Sequence, residues 1–113
     1  MVFIPSSEMP TTVVVADDVD AAWEEFGPYM LRDARAYAAW LGTEHVAVSR
    51  SDADTVDALR SENGAYRIVD PDEAVAMIRS GHPLALQPLV GGCPPELAWT
   101  NLRCIADRVL PQL

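Results

Sequence analysis

The tail of the chain, PLALQPLVGGCPPELAWTNLRCIADRVLPQL (83–113), sets a short apolar run before Gly91-Gly92 and a proline-led amphipathic stretch after it. Apolar run, glycine turn and proline-started helix form the pattern of a β/α unit, and of the closing unit of a barrel in particular. A complete barrel of that kind needs roughly 250 residues. This chain has 113, a common size for one domain with one modest core. The fold expected is α/β: a partial (β/α)8 TIM-barrel segment with about three short parallel strands and packed helices, completed by oligomerisation.

The upstream pattern fits alternating strands and helices. TTVVVA (11–16) is a β-branched run suited to a buried strand. Asp17, Asp18 and Asp20 follow as helix-start signals, so a helix is predicted from near Val19. Its apolar residues Ala22, Trp23, Phe26, Met30, Leu31 and Ala34, then Tyr37, Ala38 and Leu41, recur at three and four. Pro28 interrupts them and is expected to kink the helix or split it in two, with Gly42 as the stop.

Residues 43–64 turn polar and read as a loop and a short, weakly packed surface helix ending at an Asn63-Gly64 turn. YRIV (66–69) is the next strand, and Asp70-Pro71-Asp72-Glu73 gives an N-cap, a proline at the first helical position and a glutamate at the third. Ala74, Val75, Met77 and Ile78 form that helix's buried face, and Gly81 ends it. Residues 83–89 are read as a third strand and 94–109 as the final helix, with Leu97, Ala98, Leu102, Ile105, Ala106 and Val109 inward. Residues 1–10 form a flexible leader and 11–113 a single α/β domain.

Seventeen acidic residues against eight basic ones give a net charge of −9. That sign opposes binding to phosphate backbones and to anionic lipid, so neither nucleic acid nor a membrane is an expected partner. The apolar runs fall well short of the roughly 20 residues of a spanning helix. The first residues, MVFIPSSEMP, lack the charged start and long apolar core of a secretory signal, which points to a cytoplasmic location.

The inventory of reactive groups is sparse. GxGxxG, P-loop, HExxH and CxxC motifs are all missing. His45 and His82 have no second ligand at helical spacing, and no metal site is assigned. His82, following Gly81, is placed near a helix's terminal carbonyls. Cys104 reads as a small buried hydrophobe. Cys93 precedes a helix start, where the dipole lowers a thiol pKa, but no base lies near it in sequence. The acidic pairs Asp17/Asp18, Glu24/Glu25, Asp52/Asp54 and Asp70/Asp72 fall at helix starts or exposed faces and are read as caps, so no catalytic residue is named. Trp23, Tyr37 and Trp40 are read as core or interface, with an aromatic pocket as the alternative. The candidate cofactor-binding residues are Gly91 and Gly92, where glycine lets a ligand approach the backbone and the following helix presents N–H groups to an anion. The alternative is a tight turn without a ligand.

GPYMLRDARAYAAW (27–40) and the tail PLVGGCPPELAWTNLRCIADRVLPQL, with VVVADDVDAAWEEFGPY and VDPDEAVAMIR in the same order, resemble the C-terminal third of luciferase-like flavin-dependent monooxygenases. The resemblance implies a (β/α)8 barrel that binds FMN or the deazaflavin F420 and oxidises or reduces small organic substrates. It covers nearly the whole chain after the leader and implies that most barrel strands and flavin contacts belong to the front of such an enzyme. Arg32 and Gln87 stand where the family often has histidine. Two functions are therefore expected: the C-terminal segment of a luciferase-like oxidoreductase, inactive by itself, or a non-catalytic stand-alone α/β module acting through self-association or partner binding. Both imply a homo-oligomer or a complex with a chain that supplies the missing barrel.

Overall fold

A computed structural model describes residues 10–41 and 53–113. Strand β1 (Thr12–Val15) pairs in parallel with β2 (Tyr66–Val69), Thr12 opposite Tyr66 and Val15 opposite Val69. Among the described residues these two strands make the whole sheet. Between them lie α1 (Val19–Leu41) and α2 (Val56–Glu62), and after β2 come α3 (Pro71–Arg79) and α4 (Pro95–Cys104).

Helices cover both faces of the sheet, which explains an unbroken valine run where a half-exposed strand would alternate. Val14, Tyr66 and Ile68 face α1 and α2, meeting Trp23, Phe26, Met30 and Leu59. Val13, Val15 and Val69 face the other way, onto Ala74 and Val75 of α3 and onto Ile105 and Val109 beyond α4. The α/β class expected from the sequence is observed.

Local signals place the helix ends. Asp70 caps α3 by accepting the Glu73 N–H at 2.8 Å, as the capping pattern predicts. At the other end the Gly81 N–H reaches Ile78 O and the His82 N–H reaches Met77 O, with Gly81 at φ 89°, a Schellman closure. His82 thus meets the terminal carbonyls through its backbone. Asp18 Oδ1 accepts the Ala21 N–H at 3.0 Å and starts α1.

Three expectations need correction. First, of the kink or split expected at Pro28, the split does not occur: α1 is one helix of 23 residues that passes through Pro28. Trp23, Phe26, Met30 and Ala34 are all buried in one cluster, and that continuous stripe outweighs the single hydrogen bond a proline removes.

Second, residues 83–89 are not a third parallel strand. The segment takes one backbone hydrogen bond from β1, Val13 N–H to Ala85 O at 2.8 Å, while the Gln87 side chain reaches Thr11 O. Going forward from Ala85 to Gln87, the segment meets Val13 and then Thr11, so it runs against β1. Pro83 and Pro88 remove donors from its ends, and the next β1 donor, Val15 N–H, goes to the side chain of Asn101 on α4 at 2.8 Å. A side-chain amide thus closes the edge where a strand was expected.

Third, the last helix does not run regularly to residue 109. It continues from α4 as a π-helical turn, Ile105–Val109, in which the Leu110 N–H reaches back to Ile105 O. Ala106, expected inward, is exposed, and Cys104, expected buried, is half-buried.

Residues 1–9 of the leader, Gly42, His45 and Asp52 lie outside the described residues, as do the side chains of Tyr37 and Trp40. Trp23 is a core residue, with the Arg60 guanidinium 5.9 Å from its ring centre.

Candidate functional site

Among the recesses against the sheet, two lie at opposite ends of the strands, and a third, lined by Trp23, Arg60, Tyr66 and Arg67 among others, lies beside β2. The first adjoins the glycine pair. Val90–Gly92 is a single 3-10 turn in which Gly91 has φ 59° and Gly92 φ 75°, a conformation that side-chain-bearing residues rarely adopt. A Cβ on Gly91 would collide with the carbonyl oxygen of Tyr29, so glycine here lets the turn lie directly against α1. A Cβ on Gly92 would meet nothing within 4 Å.

The recess beside this turn, about 350 Å³, is lined by Asp33, Gln87, Leu89, Val90 and Gly91 among others. Asp33 accepts a 2.6 Å hydrogen bond from the hydroxyl of Tyr66, the first residue of β2. The turn therefore lies toward the N-terminal end of the strands, and not at the C-terminal face where a barrel places its catalytic loops.

As folded, the turn has few donors for the phosphate of a flavin. The N–H groups of Val90, Gly92 and Cys93 are bonded to Gln87 O, Leu89 O and Val90 O at 3.0, 3.0 and 3.1 Å. Pro94 and Pro95 have no N–H, the recess lining includes no basic side chain, and Asp33 and Glu96 place carboxylates nearby. This donor set does not fit a phosphate. Of the two positions where the family often has histidine, Gln87 reaches the β1 backbone and Arg32 is exposed on α1.

The second recess, about 250 Å³, lies at the C-terminal end of β1, between the start of α1 and the face of α4. It draws together residues that the sequence scatters: Asp17, Asp18 and Glu25 on one side, Asn101 and Cys104 on the other, with Phe26 at its base. Asp17 is paired with Arg108 at 2.7 Å, a contact formed from the π-helical turn. Asp18 holds the cap of α1, so the helix-start reading of this acidic pair agrees with what is observed.

No protein-family model, curated protein or solved structure matches the chain.

Neither thiol is poised as a nucleophile. Burial pushes the Cys93 pKa up, against a smaller lowering from its own backbone N–H. Its thiol donates to Pro88 O at 3.2 Å. Burial also raises the Cys104 pKa, and the negative charge of Asp17 adds to this, with Arg108 opposing. No group of three metal-ligating side chains converges among the described residues. No helix among them is long and apolar enough to cross a membrane.

Asn101 is the residue that sequence reading missed. It is 2% exposed and lies on the stripe of α4 that carries Ala98 and Ile105. A polar residue at three- and four-residue spacing within an apolar stripe was the available signal.

Proposed function

We propose that this chain is the C-terminal segment of a luciferase-like flavin-dependent oxidoreductase and has no turnover by itself. The observation that carries the reading is the ordered set of family-like motifs, from VVVADDVDAAWEEFGPY to PPELAWTNLRCIADRVLPQL. The parallel β1–β2 pair with its packed helices is compatible with it. The donor set of the Gly91-Gly92 turn does not fit a phosphate, and in this reading the FMN or F420 contacts come from the front of the barrel.

Titrating the purified chain into FMN and into F420 tests this directly. No fluorescence change is expected for the chain alone, and quenching is expected once a chain carrying the front of the barrel is added. Consumption of NADPH or reduced F420 by the isolated chain would overturn the proposal. An adjacent reading frame encoding the front of the barrel would support it.

A second reading, a non-catalytic α/β module that works by association, is favoured by the closed outer edge of β1. Ala85 O and Asn101 Oδ1 already take the Val13 and Val15 N–H groups, leaving no donor there for a further strand. Absence of flavin quenching even with the completing chain would select this reading.

A further inference from the structure

We draw no further inference here: the strongest candidate, the recess beside β2 lined by Trp23, Arg60, Tyr66 and Arg67 among others, carries nothing because Arg60 is already paired with Asp20 at 2.6 Å and Arg67 with the Gly64 carbonyl at 3.0 Å, and nothing in the structure shows what covers it.

Discussion

Gly91 and Gly92 are adjacent and both left-handed, yet they answer to different constraints. Gly91 needs both its φ of 59° and the missing Cβ, because Tyr29 O occupies that space, whereas Gly92 needs only its φ of 75°. Gly91→Ala is therefore expected to cost about 3 kcal/mol, from left-handed strain plus displacement of the turn from α1. Gly92→Ala should cost about 1 kcal/mol, from the strain alone. Urea denaturation of the two variants checks this, and equal losses would mean that Tyr29 moves aside freely. The thiols give a second prediction at this scale. Burial raises both Cys93 and Cys104 above the unfolded value of 9.0, so the folded chain holds these protons more tightly than the unfolded one. The resulting stability is fully present below pH 9.0 and is lost as pH rises from there through the folded pKa values. Stability measured across that window should fall less steeply in Cys93→Ala than in the unmodified chain.

Between elements, α1 and α2 approach closely at Gly27. A Cβ on Gly27 would stand 2.5 Å from Val56 Cγ1, so glycine before Pro28 lets α2 dock on the long helix. Gly27→Ala brings a better helix former into α1 but pushes Val56 away, and a net loss of about 1–2 kcal/mol is expected from overpacking. Adding Val56→Ala should recover most of that loss. A double-mutant cycle showing additive effects would rule out the contact. The elements themselves were legible wherever the determinant is local. Asp70 with Glu73, the valine run of β1 and the Gly81 stop are decided by neighbours a few residues away, and each stands where the sequence indicates. What escaped depends on distant partners. Residues 83–89 have strand-like composition, but pairing is settled by which donors β1 has left, and Asn101, far along the chain, takes one of them. Pro28 marks a break by local rules, while a buried stripe on both sides of it keeps the helix whole. The candidate site shows the same division. The glycine turn was visible as a turn, but its position at the N-terminal end of the sheet was not, and the recess around Asn101 exists only because β1, α1 and α4 meet.

At the scale of the molecule, a charge of −9 and several exposed apolar side chains act in opposite directions. Leu89, Trp99, Leu110 and Leu113 are each more than half exposed, at 59, 56, 58 and 54%. Exposed apolar surface favours association, and both functional readings require it. Which partner it serves can be read from salt. Two copies of this chain repel each other, and added salt screens that repulsion once the Debye length falls to about 10 Å near 0.1 M, so self-association should tighten as salt rises. A complex with a basic partner chain would loosen instead, because the same screening weakens attraction. Sedimentation of the chain at low and high salt should therefore show a shift toward the dimer with added salt if a second copy covers these residues, and Trp99→Glu should weaken the dimer at both salt concentrations. A monomer under both conditions at micromolar concentration would remove self-association from either reading and leave a second, different chain as the only partner compatible with them.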